Sequence, residues 1–179
     1  MGLSATMDKL QEFLPSGEKG LLPYYLFVVS VVSVGNSLQN YVTLHYTRRI
    51  YNGRFVANHS LPPATDNFNP EDSTAIVKPA SSTGKDSEKA KDQVSPLAAR
   101  LFGTWTFLAG LIRFYASYEL ENRALYQLAI WTHVIAAVHF TSEMLVLKTV
   151  RFSGPQAFPF LAAYGGSLWM ILQYNHYVE

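Results

Sequence analysis

Long apolar runs alternate with polar stretches along this chain. Four runs, residues 22–42, 97–118, 124–147 and 154–174, are each close to the ~20 residues a helix needs to span the hydrocarbon of a bilayer. Backbone polar groups inside a membrane must bond within their own segment, which favours helices. The pattern predicts an all-α membrane protein with four transmembrane helices. A long polar loop, residues 43–96, separates the first two. A five-residue link, 119–123, makes a hairpin of the second and third, and a short loop, 148–153, joins the third to the fourth. Tails at 1–21 and 175–179 complete the division.

Helix starts are marked by residues that cap or tolerate a first turn. Pro23, Ser95-Pro96 and Ser153-Gly154-Pro155 occupy such positions, and Pro159 is close enough to a start to cause only a slight kink. The middle of the long loop, 58–93, has few large apolar residues and is rich in Pro, Ser, Asp and Lys, so it is expected to lack fixed structure. Residues 1–20 contain no uninterrupted apolar stretch of the kind a cleavable signal needs, because Asp8, Lys9, Glu12, Glu18 and Lys19 interrupt it. An amphipathic turn around Leu10, Phe13 and Leu14 and a frayed tail remain alternatives there.

Each apolar run also carries an ordered set of small or polar residues. Ser33, Asn36, Ser37 and Asn40 share one side of the first helix. Gly103, Thr106, Gly110, Arg113 and Ser117 share one side of the second, and Thr132, Ala136, His139 and Glu143 one side of the third. Ala162 and Gly166 form a small-residue pair on the fourth. Small residues let helices approach closely and polar ones bond across the contact. Gly103, Thr106, Gly110, Arg113, Ala162 and Gly166 are therefore assigned to helix packing.

Antiparallel neighbours place Asn36, Gln39, Asn40, Arg100, His139 and Glu143 at similar depth, in one leaflet. Charges inside a span cost ~2.5–3.5 kcal/mol each near its centre, so such a cluster has a purpose, either a structural network or an acid–base site. Arg113 falls near the opposite surface and is expected to reach outward or meet Glu119 or Glu121. His133 is expected to bond between helices, and Trp105, Trp131 and Trp169 to pack inside the bundle.

Composition narrows the chemistry. The mean hydropathy of +0.05 averages the apolar runs with the polar loop. Net charge is +1, which gives no nucleic-acid footprint. There are no cysteines, which removes disulfides, thiolate metal sites and a cysteine nucleophile. His139 and Glu143 stand at i and i+4 but outside a zinc-protease pattern, and no third metal ligand is evident; no metal, cofactor or catalytic residue is assigned. Phosphate-loop, dinucleotide and nucleophile-elbow motifs are missing. Lys and Arg gather on the first and third loops (Arg48, Arg49, Arg54, Lys148 and Arg151 close to the spans), which places those loops in the cytosol and the termini in the lumen.

Several of these residues stand in a familiar order. The run Ser33-Val34-Gly35-Asn36-Ser37-Leu38-Gln39 resembles the first-helix motif of the ergosterol biosynthetic protein 28 family, and Arg49-Ile50-Tyr51-Asn52-Gly53 resembles the segment that follows it. Ala99-Arg100-Leu101-Phe102-Gly103-Thr104-Trp105-Thr106, with Ile112-Arg113, is similar to the second-helix signature. Leu125-Tyr126 through Trp131 and His139-Phe140-Thr141-Ser142-Glu143 resemble the third. The resemblance covers residues 23–54 and 96 to the C-terminus. It implies a multi-pass protein of the endoplasmic reticulum membrane, a non-catalytic scaffold for sterol C-4 demethylation. The implied partners are a sterol methyl oxidase, a C-3 dehydrogenase/C-4 decarboxylase and a 3-keto reductase, together with membrane lipid. The sterol side-chain methyltransferase is a further implied partner, and a homo-oligomer is left open. The long polar loop is expected to be a departure from the family. Two other readings stand beside the scaffold: a small isomerase-like membrane enzyme using His139 and Glu143, and a transporter or channel.

Overall fold

The computed structural model describes residues 13–81, 83 and 85–178. Leu10, and with it part of the expected amphipathic turn, lies outside them; Phe13 is exposed, and its carbonyl accepts from the Tyr118 hydroxyl at 2.6 Å. The described chain is mostly helical. Its elements in order are α1 (Leu22–Val42), α2 (His45–Ile50), β1 (Phe55–Ala57), β2 (Val77–Pro79), α3 (Lys85–Lys89), α4 (Pro96–Tyr118), α5 (Arg123–Leu145), α6 (Gly154–Phe160), α7 (Gly166–Leu172) and α8 (Tyr174–Val178). A π-helical turn, Leu161–Gly165, joins α6 to α7, so residues 154–172 form one interrupted helix.

The starts follow from capping chemistry. Ser95 Oγ accepts from the Ala98 amide at 3.1 Å, with Pro96 in the first turn of α4. Asn122 Oδ1 accepts from Ala124 and Leu125 at the head of α5, a cap that composition alone does not single out. Gln156 reaches back to the Ser153 amide at 3.0 Å at the head of α6. Pro159 stands two residues before the π turn, which widens the helix just beyond the point where a proline has removed a backbone donor.

α1 and α4 form the closest pairing and run antiparallel. A Cβ on Gly103 would stand 3.1 Å from the Asn40 Cβ, and one on Gly110 would stand 3.1 Å from the Ser33 Cβ. The two glycines lie two turns apart on one face and let the backbones approach. Ser37 Oγ then reaches the Gly103 carbonyl at 2.8 Å. At the end of the bundle nearest the termini, Leu22, Leu26, Ala116, Tyr126, Ala129 and Met170 make a fully buried apolar core. A smaller core of Ile50, Ala136, Phe140 and Ala163 occupies the other end.

Residues 43–96 differ from the structureless loop expected of their composition. β1 and β2 pair antiparallel, with Val56 opposite Lys78, and Phe55 also exchanges backbone hydrogen bonds with Lys91. Phe55, Ala80, Ala90 and Val94 are buried. These four apolar side chains are spread over forty positions, and a count of large apolar residues misses them. Arg48 and Asp92 add an ion pair at 3.5 Å.

Among the described residues one helix, Arg123–Leu145, is long and apolar enough to cross a membrane by length and composition. The other long helices reach the length but carry more polar residues in their packing faces, such as Ser30, Ser33 and Asn40 on α1.

Candidate functional site

The bundle is loosely filled at the end away from the termini. A cleft of about 750 Å³ lies between α1, α4, α5 and the α6–π segment. Its walls are mainly apolar, with Phe102, Trp105, Ala109, Phe140 and Phe158 among them. Ser33, Asn36, Gln39, Thr106, Arg49 and Arg113 supply the polar lining. A neighbouring cleft of about 460 Å³ is bordered by Tyr51, His139, Glu143 and Thr149.

The six residues expected in one polar cluster divide into separate groups. Asn40 Oδ1 accepts from Thr47 Oγ1 at 2.7 Å and from Gln39 Nε2 at 2.9 Å. This group fixes α2 against the end of α1, and it leaves Gln39 Oε1 and Asn40 Nδ2 buried without a partner among the described residues. His139 and Glu143 make a second group with Tyr51 and Thr149. The Tyr51 hydroxyl lies 2.7 Å from His139 Nε2, His139 Nδ1 lies 3.9 Å from Glu143 Oε1, and Thr149 Oγ1 donates to Glu143 Oε2. Burial pushes the Tyr51 phenol above its ordinary value, and the Glu143 charge adds to the effect, so Tyr51 keeps its proton. With His139 Nδ1 facing the Glu143 carboxylate, the tautomer that carries its proton on Nδ1 is favoured, and in it Nε2 accepts from the Tyr51 hydroxyl. Asn36 borders the larger cleft.

Arg100 is not part of either group. It is exposed, and among the described residues its guanidinium makes no hydrogen bond or ion pair. Depth along the helix is similar to that of Glu143, but Arg100 is one residue on from buried Ala99 and is turned about 100° away from the packed face.

Arg113 corrects the expectation of an outward-reaching side chain. It is 7% exposed and points into the bundle. Its Nε donates to Thr132 Oγ1 at 2.9 Å, Nη2 to the Thr132 carbonyl at 3.2 Å and Nη1 to Ser33 Oγ at 3.3 Å. Glu121, one of its expected partners, pairs instead with Lys19 at 2.5 Å, and that hydrogen bond holds the Glu121 carboxyl below its ordinary value. The Ser33 and Thr132 faces, legible separately, are thus joined through Arg113.

The remaining packing residues lie at close contacts. Gly166 faces Tyr25 and His133, and the Ala162 carbonyl accepts from the Tyr25 hydroxyl at 3.0 Å. Thr106 bonds back to the Phe102 carbonyl at 2.7 Å and borders the larger cleft. His133 bonds within its own helix, to the Ala129 carbonyl at 2.8 Å, rather than between helices, because its ring points back along α5. Trp105 and Trp169 are half-buried, whereas Trp131 is 59% exposed on the outer surface.

Two residues after α2, Asn52 and Gly53, and Gln156 in α6 tie loops one and three together, which their spacing in the sequence does not announce. Asn52 binds both backbone groups of Arg151, through Oδ1 at 2.7 Å and Nδ2 at 3.1 Å, and the Gly53 amide donates to the Thr149 carbonyl at 2.7 Å. A Cβ on Gly53 would stand 2.7 Å from the Thr149 Cα, so only glycine fits. Gln156, wholly buried, donates to the Arg49 and Ile50 carbonyls at 2.6 and 2.9 Å. Polar side chains adjoining the apolar runs were the signal, but pairing across a hundred residues is not visible in spacing. Among the described residues no group of three or more His, Cys, Asp or Glu could hold a metal ion.

The architecture defines a class: a mostly helical bundle, apolar on much of its outside, with polar groups turned inward. The chain belongs to the Erg28 family, whose model, described as Erg28 like protein, matches residues 22–168. It is 50% identical to ergosterol biosynthetic protein 28 of Gibberella zeae over 173 residues, 97% of this chain and 99% of that one. It is 34% identical to the protein of the same name from Candida albicans over 94% of this chain and 96% of that one. Identity to the Saccharomyces cerevisiae protein is 29% over 89% and 84%. The polar connection between α1 and α4 lies inside the family match and nearly all of the Gibberella match, so it is not a departure from every relative. No solved structure matches the chain.

Proposed function

We propose that this protein is a membrane scaffold of ergosterol biosynthesis that assembles the C-4 demethylation enzymes: the methyl oxidase, the C-3 dehydrogenase/C-4 decarboxylase and the 3-keto reductase. The carrying observation is the near full-length similarity to proteins named for ergosterol biosynthesis. All four long helical stretches, 22–42, 96–118, 123–145 and 154–172, cross the endoplasmic reticulum membrane in this reading. It is supported by the large apolar side chains on their outer faces, among them Val31, Leu38, Leu101, Leu108, Val138 and Leu168. Loops one and three face the cytosol and the termini the lumen, in keeping with the Lys and Arg distribution. Holding successive enzymes together raises their effective concentration for an insoluble intermediate without the scaffold performing a reaction. The sterol side-chain methyltransferase is a further partner.

Affinity capture from gently solubilised membranes, read by mass spectrometry, tests the reading. Near-stoichiometric recovery of the demethylation enzymes is expected; recovery of the protein alone, under conditions that keep other membrane complexes intact, overturns it. A second reading, an isomerase-like enzyme, is favoured by one arrangement, the Tyr51–His139–Glu143 chain beside the smaller cleft. It requires sterol turnover by the purified protein that is lost in His139→Ala and Glu143→Gln.

A further inference from the structure

Arg113 is buried, and among the described residues it makes no ion pair. Its three hydrogen bonds all end on neutral oxygens, of Ser33 and Thr132. A guanidinium has five N–H groups, so two remain. A buried cation without a counter-charge is costly, and none is paired with it among the described residues. The same side chain borders the 750 Å³ cleft, whose volume suits one compact ligand of ~300–1,000 Å³ pockets. Along α4 the lining extends from Phe102 to Arg113, about 16 Å at 1.5 Å per residue. Between them stand Trp105 and Ala109, opposite Phe140 and Phe158. The cleft is therefore long, apolar and walled by rings, with the buried Arg113 at one end of its α4 wall and the exposed Arg49 as the other cation on its lining.

We propose that this cleft binds a single sterol-class lipid bearing a carboxylate, with the carboxylate on Arg113 and the fused rings along Trp105 and Phe140. The identification of the rings as sterol rests on the pathway reading above. A route that oxidises a methyl group and then expels it as carbon dioxide passes through a carboxylic acid. That acid combines the apolar body and the anionic group that the cleft and Arg113 complement. A fatty acid shares the carboxylate but lacks the rings. The bound acid would be held between the enzyme that makes it and the enzyme that consumes it, which gives the scaffold a stake in the intermediate itself.

The test uses the full chain in phosphatidylcholine nanodiscs, with a radiolabelled sterol 4-carboxylic acid, the matching 4-methyl sterol and palmitate. The acid is expected to bind saturably, one per protein, and roughly tenfold or more tighter than the neutral sterol, as a charge-assisted contact implies. Arg113→Gln should remove that preference, and Arg113→Lys should keep part of it. Gly35 also lines the cleft, and a Cβ there meets nothing within 4 Å, so Gly35→Leu fills space without a clash. It should weaken binding of the acid while leaving the helical circular dichroism unchanged, and it covers the case in which Arg113→Gln fails to fold. Absence of saturable binding, equal affinity for acid and neutral sterol, equal competition by palmitate, or full binding in Gly35→Leu each overturns the proposal. Enzymes captured by a protein that does not bind the acid would remove this site and leave the scaffold. Acid binding by a protein that captures no enzyme would leave the site and remove the scaffold.

Discussion

At the end of the bundle near the termini, Leu22, Leu26, Ala116, Tyr126 and Met170 are almost wholly out of solvent and fill the space between helices with their own side chains. At the other end the helices, one of them interrupted by the π turn, enclose two clefts, and among the described residues buried polar atoms of Gln39 and Asn40 make no hydrogen bond. The first end is what a bundle needs to hold its helices together. The second gives up packing that a purely structural role would have completed. The contrast locates stability at one end and recognition at the other, and substitutions of equal size at the two ends should separate them.

The largest effect is expected from Leu26→Ala. Truncating a fully buried leucine costs about 2–5 kcal/mol, from lost contacts and the cavity left behind. Phe158→Ala removes a larger side chain from the cleft wall, but Phe158 is 51% exposed and already faces open space, so its cost should be within about 1 kcal/mol. Thermal unfolding of the two variants in one detergent measures the difference. Equal destabilisation would erase the distinction between the ends. Adding volume should sort in the same way. Gly166→Leu drives a side chain into Tyr25 and His133 and should cost about 1–3 kcal/mol, whereas Gly35→Leu should be close to neutral in the same assay.

The two ends were not equally legible. Apolar runs with Pro23, Ser95-Pro96 and Ser153-Gly154-Pro155 at their starts reveal the helical character, because capping and hydropathy are local properties. The small-residue face with Gly103 and Gly110 is local too. The course of Arg113 is not. Its position near the end of α4 suggests an escape to the surface, and only the meeting of Ser33 from α1 with Thr132 from α5 makes an inward course favourable. Arg100 differs for the opposite reason: its neighbours along α4 border the same small cleft as Glu143, but a step of one residue from buried Ala99 turns its own side chain to solvent. The hairpin in the long connection was hidden because Phe55 and three small apolar residues leave little trace in composition.

The cleft end itself offers a test of intermediate size. Gln156 ties the start of α6 to the Arg49 and Ile50 carbonyls, and so holds the roof of the larger cleft. Gln156→Ala leaves those carbonyls without their donor and should cost about 1–3 kcal/mol. If the cleft end is held mainly by such bonds, the loss should appear as faster proteolysis in loops one and three, with the core around Leu26 still protected. Uniform loss of protection across the chain would show that the ends unfold as one unit.

The smallest effect, and the one with a pH signature, belongs to Tyr51. Tyr51→Phe keeps the ring contacts with Phe102 and Phe140 but removes the donor to His139, so a loss of about 1 kcal/mol is expected at neutral pH. The folded phenol titrates above its ordinary value of 10.0, because burial and the Glu143 charge disfavour the phenolate. The unfolded chain therefore releases this proton first. The contribution of Tyr51 is whole below about pH 10, and it diminishes as pH rises from there toward the folded value. Wild type minus Tyr51→Phe isolates that contribution from the other tyrosines, provided the two proteins are unfolded side by side from pH 7 to 11. A difference that shrinks only above pH 10 places Tyr51 as a neutral donor locking α2 to α5. A difference that instead grows between pH 7 and 9 would mean that the folded hydroxyl gives up its proton near neutrality, before the unfolded one does, which is the behaviour a proton-transfer role for the Tyr51–His139–Glu143 chain would need and a structural lock would not.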